Sequence, residues 1–171
     1  MNALRCKKIA VIGISGSGKT TAAKQLSAKI GLPVFHIDPL LWIGNWESVP
    51  HDEYIANHMQ LLKNNRWIIE GYIDEEMSDR LHEADLVIYL DYSVIRCVGR
   101  VIYRWWKYRN KNRPELPKEA HEKFDLSFFM RVLIGFERKD IQQALSASKP
   151  SLLVTIHSPK ELKQFLRTAI Y

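Results

Sequence analysis

Gly13-Ile14-Ser15-Gly16-Ser17-Gly18-Lys19-Thr20 follows the apolar run Ile9-Ala10-Val11-Ile12 and leads into Thr21-Ala22-Ala23-Lys24-Gln25-Leu26, which reads as a helix. The spacing, Gly, four residues, Gly-Lys-Thr, is that of a phosphate-binding loop between a strand and a helix. Each residue type has a task there. Glycines reach backbone angles closed to residues with a Cβ, so successive N–H groups turn inward on a phosphate chain. The N-terminus of the following helix adds partial positive charge at the same point. Lys19 reaches the β- and γ-phosphates, and Thr20 offers its hydroxyl to Mg²⁺. Residues 13–21, with Thr21 just inside the helix, are the expected cradle of a nucleoside triphosphate rather than a plain Gly/Ser-rich turn.

The chain has 171 residues, 46% of them hydrophobic and 26% charged. That suits one domain, residues 1–171, with a core that needs neither metal nor disulfide. No apolar run approaches the roughly 18–20 residues of a membrane span. Arg5, Lys7 and Lys8 pass straight into the first strand without the apolar core of a signal peptide. Two cysteines, Cys6 and Cys97, make no framework, and a cytoplasmic setting is expected. The net charge of +6 favours anionic partners, and the excess is local: Arg96 to Lys123 holds nine Lys/Arg against three acidic residues. Such a block suits either nucleic acid or a set of arginines closing over a nucleotide.

Apolar strand-like runs alternate with helical patterns, which predicts a three-layer α/β/α fold on a five-stranded parallel sheet. Strands are expected at 7–12, 34–37, 67–69, 86–90 and 152–156. Helices are expected at 19–30, 51–64, 75–83, 93–108, 126–145 and 160–169. Residues 39–50 read as a loop carrying Trp42 and Trp46, and 96–125 as a basic insertion with a helical lid. In an open α/β sheet, ligands sit outside the carboxyl ends of the strands. The residues to read are therefore Asp38, Glu70-Gly71-Tyr72, Asp91 and His157, beside the phosphate loop. Phosphoryl transfer needs a carboxylate in the metal shell and another to orient an acceptor hydroxyl.

Together, the phosphate loop, Ile37-Asp38 with Leu41-Trp42 and Trp46, Trp67-Ile68-Ile69-Glu70-Gly71, and Ala84-Asp85 before Leu86–Asp91 form a pattern. With the arginine-rich segment, it resembles the adenylate-kinase-like proteins of the DNA topology modulation (FlaR-type) family, from about Ile9 to the last helix. The resemblance implies a P-loop kinase fold more firmly than any one reaction. Where that family usually shows Asp-Gly-Asn-Tyr, this chain has Glu70-Gly71-Tyr72, which leaves the acceptor open. Arg96-Cys97-Val98-Gly99-Arg100 resembles the segment leading into the lid of adenylate kinases. By that likeness Arg96 lies near the adenine and Arg100 near the phosphates. The two stand at i and i+4, on one helix face, and Arg104 extends that face. The plainer alternative is a solvated basic stripe. Arg113 is the candidate clamp inside the lid, with Arg131 and Arg138 behind it. Arginine suits such work because its fork matches phosphate oxygens and it keeps its charge.

Two acids compete for the metal side. Leu86–Asp91 has the look of an apolar strand ending in a metal-binding Asp. In the adenylate-kinase group, however, the acid follows the strand beside the phosphate loop and precedes a Gly. That likeness selects Glu70 and leaves Asp91 as a helix N-cap. Asp38 is the expected partner of the acceptor hydroxyl, against the alternative of capping a turn before Pro39. Trp42, Gly71 and Tyr72 are expected around the acceptor, though loop tryptophans often only cover a core. His36 reads as structural and His157 as a loop residue.

Two functions follow as expectations. In the first, the chain is an ATP-dependent, Mg²⁺-requiring phosphotransferase. Lys19, Asp38, Arg96, Arg100 and Arg113 act on the reacting groups, and Thr20 and Glu70 hold the metal. Its partners are a nucleoside triphosphate and a small-molecule or nucleotide acceptor. In the second, Arg100–Lys111, with Tyr103, Trp105, Trp106 and Tyr108 interleaved, binds DNA or RNA under nucleotide control.

Overall fold

The computed structural model describes residues 5–44, 47–108 and 126–168. Trp46 and Arg113, and with Arg113 most of the expected lid, lie outside the described residues, as do the side chains of Trp42 and Arg131.

Strand β1 (Lys8–Gly13) enters the phosphate loop, and helix α1 (Lys19–Ile30) leaves it. Then come β2 (Val34–His36), a 3₁₀ turn (Asp38–Leu41), β3 (Trp42–Gly44), β4 (Glu47–Ser48) and α2 (His51–Leu62). Strand β5 (Trp67–Glu70), helix α3 (Asp79–Glu83), strand β6 (Leu86–Leu90) and helix α4 (Val94–Tyr108) follow. The described chain ends with α5 (Leu126–Ile134), α6 (Phe136–Ser148), β7 (Leu153–Ile156) and α7 (Pro159–Thr168).

Five of the strands form one sheet in the order β2-β5-β1-β6-β7, and every pairing is parallel. The expected five-stranded parallel sheet is therefore present. Its central strands are near-continuous Ile/Val/Leu runs, as a sheet covered on both faces requires. Ile9, Ile12, Ile68, Ile69, Leu86 and Val87 are all fully buried. Asp85 fixes the start of the sheet by accepting the backbone N–H groups of Lys7 (2.7 Å) and Lys8 (2.9 Å). At the opposite, carboxyl edge, β1, β2 and β5 bring the phosphate loop, Asp38 and Glu70 to neighbouring positions.

The segment expected as loop between 39 and 50 contains the 3₁₀ turn and a small antiparallel ribbon of β3 and β4. The helix expected over 126–145 is two helices. Gly135 adopts φ 84°, a left-handed angle that ends one helix and precedes the next. Asp91 is not the N-cap of α4, which begins three residues later at Val94.

Candidate phosphate-binding site

The turn from β1 into α1 has the shape a phosphate cradle needs. Gly16 sits at φ 80°, and a Cβ there would lie 2.3 Å from the Cys97 carbonyl oxygen of α4. Glycine is thus required both by the backbone angle and by the close approach of α4. Lys19, only 9% exposed, turns its ammonium inward to the carbonyl oxygens of Gly13 (2.9 Å) and Ile14 (3.4 Å). Ser17 is fully buried, and its hydroxyl finds no partner among the described residues. Thr21 is exposed at the start of α1.

Across the loop, the Thr20 hydroxyl donates to Glu70 Oε1 at 3.0 Å. The same oxygen lies 2.5 Å from His36 Nδ1, so the structural part the strand histidine plays is to hold this carboxylate. Glu70 is 3% exposed, and its Oε2 has no partner among the described residues. A buried carboxylate oxygen without a donor, next to a threonine hydroxyl, is the kind of oxygen set a hard divalent ion takes. Mg²⁺ fits here with few protein ligands, because it keeps waters and shares substrate phosphates. Asp91, the competing acid, is engaged elsewhere. It pairs with Arg138 Nη2 at 2.7 Å and accepts the Tyr89 hydroxyl at 3.2 Å. Arg138 also donates to the Tyr92 carbonyl at 3.0 Å, so it ties β6 to α6 rather than reaching into the loop.

Asp38 is exposed at the start of the 3₁₀ turn and accepts the Tyr72 N–H at 3.1 Å. The turn after β5 is shaped for this contact. Gly71 sits at φ 141°, and a Cβ there would come within 2.8 Å of Ile37 Cβ and 2.9 Å of Asp38 Oδ1. The Tyr72 carbonyl accepts Arg80 Nη2 at 2.7 Å, and its hydroxyl donates to Asp140 at 2.9 Å. Tyr72 is therefore held at three points, and Asp38 is aimed through its backbone.

Arg80 and His58 were not singled out by the sequence, since neither stands in a motif. Both are 0% exposed. Burial lowers the Arg80 guanidinium to about 10, against the raising pull of Tyr54, Asp38, Glu70 and Asp74, so it stays charged at neutral pH. His58 is pushed down to about 4, first by burial and then by Arg80. Tyr54 is raised, first by burial and then by Asp38. A buried polar cluster thus lies beneath the Asp38–Tyr72 contact.

On α4, Arg100 donates to the carbonyl oxygens of Ser17 (3.1 Å) and Gly16 (3.4 Å) and lies over the Tyr92 ring at 5.5 Å. Arg96, one turn earlier, is exposed and contributes to the field at Tyr92. Arg100 is thus brought to the phosphate loop, while Arg96 faces solvent close by. His157 follows β7; its N–H donates to Glu161 at 2.8 Å, which is a loop role.

No family model matches the chain, and no curated protein is found similar to it. Solved structures do resemble it. A sugar kinase from Janibacter sp. is 15% identical over 96% of this chain and 90% of its own, with a TM-score of 0.55. Shikimate kinase from Acinetobacter baumannii, in complex with shikimate, is 14% identical over 96% and 91%, with a TM-score of 0.59. A gluconokinase from Sinorhizobium meliloti is 15% identical over 95% and 89%, with a TM-score of 0.54. The chain shares the P-loop α/β fold of these proteins over almost its whole length.

Proposed function

We propose that the protein is an ATP-dependent, Mg²⁺-requiring phosphotransferase of the small-molecule or nucleotide kinase type. The observation that carries this reading is the convergence at one sheet edge of buried Lys19, the Thr20–Glu70 pair and Asp38. A switch or motor needs the first two; a carboxylate held on the acceptor side, beside the metal acid, suits transfer to a bound hydroxyl. That the structural neighbours are sugar, shikimate and gluconate kinases supports the same class.

In this reading the loop N–H groups and Lys19 bind the triphosphate. Thr20 and Glu70 hold Mg²⁺, Glu70 directly or through water, and the ion neutralises charge on the phosphates. Asp38 orients the acceptor hydroxyl and takes its proton. Arg96, Arg100 and, beyond the described residues, Arg113 balance charge on the transferred group. Trp42, Gly71 and Tyr72 border the acceptor. The DNA topology modulation group is the finer resemblance, carried by the Asp38/Trp42/Trp46 loop together with the Trp67–Gly71 strand end. No described helix is long and apolar enough to cross a membrane, and a cytoplasmic setting fits the substrates.

The test is a screen of nucleoside monophosphates, sugars and hydroxy acids, measuring ADP formed from ATP. One acceptor class should raise ADP formation, and Lys19→Ala should abolish it in a folded protein. Acceptor-independent ADP release would replace the kinase by an ATPase.

A second reading has one observation of its own. Tyr103 and Trp106 on α4 are 60% and 58% exposed, with ring centroids 6.4 Å apart, in a helix rich in Arg and Lys. Such a surface suits stacking on unpaired bases. Binding of single-stranded DNA that falls linearly with log[salt] would support it, and no binding at low salt would remove it.

A further inference from the structure

A carboxylate is held against the loop that the proposed function reserves for phosphate. Glu137, in the first turn of α6, is 7% exposed. One of its oxygens, Oε2, accepts the Ser15 backbone N–H at 2.5 Å, and the other accepts the Ser15 hydroxyl at 2.8 Å. Ser15 lies 122 residues away in the chain, so this contact is made by the fold and not by local sequence. Two donors of one loop residue grip two oxygens of one anion, as they would grip a phosphate.

The cationic groups meant for phosphate are occupied in the same way. Lys19 is bonded to Gly13 and Ile14 carbonyls, and Arg100 to those of Ser17 and Gly16. Within the loop, Ser15 and Lys19 thus already have partners, and the one bonded to Ser15 is an anion. A triphosphate that used the Ser15 N–H would compete with the carboxylate for that donor and bring further negative charge beside it. Two like charges side by side repel strongly where water is scarce.

We propose that Glu137 is an internal competitor for the donor's phosphates, so that nucleotide must displace it from Ser15 and nucleotide affinity is set by this residue. The proposal rests on the donor-site reading above. A structural role would act with the opposite sign: if Glu137 only braced the loop, removing it would weaken binding.

The experiment is calorimetric titration of the full chain with ATP in excess Mg²⁺, for wild type, Glu137→Gln, Glu137→Ala and Lys19→Ala. Glu137→Gln keeps the size and removes the charge; Glu137→Ala removes both contacts. Competition requires both variants to bind ATP at least fivefold more tightly than wild type, with adenosine unaffected. Unchanged or weaker ATP binding in both folded variants overturns the proposal while leaving the donor site in place, provided Lys19→Ala still loses binding. If Glu137→Ala fails to fold, Glu137→Gln alone decides by the same sign. Absence of ATP binding in wild type and in both Glu137 variants would sink this inference together with the reading beneath it.

Discussion

The Thr20 hydroxyl donates to Glu70 Oε1 at 3.0 Å, joining the end of the phosphate loop to the end of the neighbouring strand. β1 and β5 pair in parallel with Val11 opposite Glu70, so the register of the sheet itself delivers the carboxylate to the loop. Glu70→Gln keeps the shape and removes the charge. Turnover should fall by about 10–100-fold with a raised Mg²⁺ requirement, as for loss of a group that holds a metal's surroundings. A Mg²⁺ titration of the rate, with circular dichroism to show an unchanged fold, checks this.

Asp91 should behave differently. Its partner Arg138 is 34% exposed and Asp91 itself 28%, so solvent screens the pair. Asp91→Asn should cost about 1 kcal/mol of stability at most. Its turnover should stay within about twofold of wild type, against the larger loss expected for Glu70→Gln. A loss matching that of Glu70→Gln would transfer the metal role to Asp91.

Arg80 holds the Tyr72 carbonyl at 2.7 Å, and Tyr72 in turn holds Asp38. Arg80→Met leaves that carbonyl without its donor and removes a buried charge from among three carboxylates. Destabilisation of about 3 kcal/mol is expected in urea unfolding. Arg80→Lys restores a cation and should recover part of the loss. Once an acceptor is known, the residual defect in Arg80→Lys should fall on the acceptor's KM or on kcat and spare the KM for ATP.

Gly16→Ala places a methyl 2.3 Å from the Cys97 carbonyl at a left-handed φ. The backbone of α4 must then retreat from the loop. Nucleotide binding should be lost, with a stability loss of about 1–3 kcal/mol. Wild-type ATP affinity in this variant would show that the contact is unimportant.

His58 gives a pH signature. Its folded value of about 4 lies below the ordinary 6.5, so the fold favours the neutral ring. Above pH 6.5 both states are neutral and the residue contributes nothing to pH dependence. As pH falls from 6.5 toward 4, the unfolded chain takes a proton the folded chain refuses, and stability drops by up to about 3 kcal/mol. Urea unfolding at pH 7.5 and pH 5 should show this slope, and His58→Leu should flatten it.

The parts of this molecule written in short spacings were legible in the sequence. The phosphate loop needs contiguous residues, and the apolar runs of β1, β5 and β6 announce a sheet covered on both faces. The strand-end rule put Asp38 and Glu70 at the carboxyl edge of the sheet, where the structure has them. What the sequence could not convey depends on distant segments meeting. Glu137 reaches Ser15, and Arg80 reaches Tyr72, only because α6 and α3 pack where they do. The contact of His36 with Glu70 has no local signal, because a strand histidine carries no sign of the carboxylate opposite it. The break at Gly135 had a local signal, a glycine in a helical pattern, but glycine is tolerated inside helices often enough to be passed over.

The close approach of Cys97 to Gly16, with Arg100 bonded to the next carbonyls, has a mechanical consequence. The first two turns of α4 and the loop are packed as one block, so a displacement of either is passed to the other. Residues 94–101 belong to the wall of the loop as much as to the helix that follows β6.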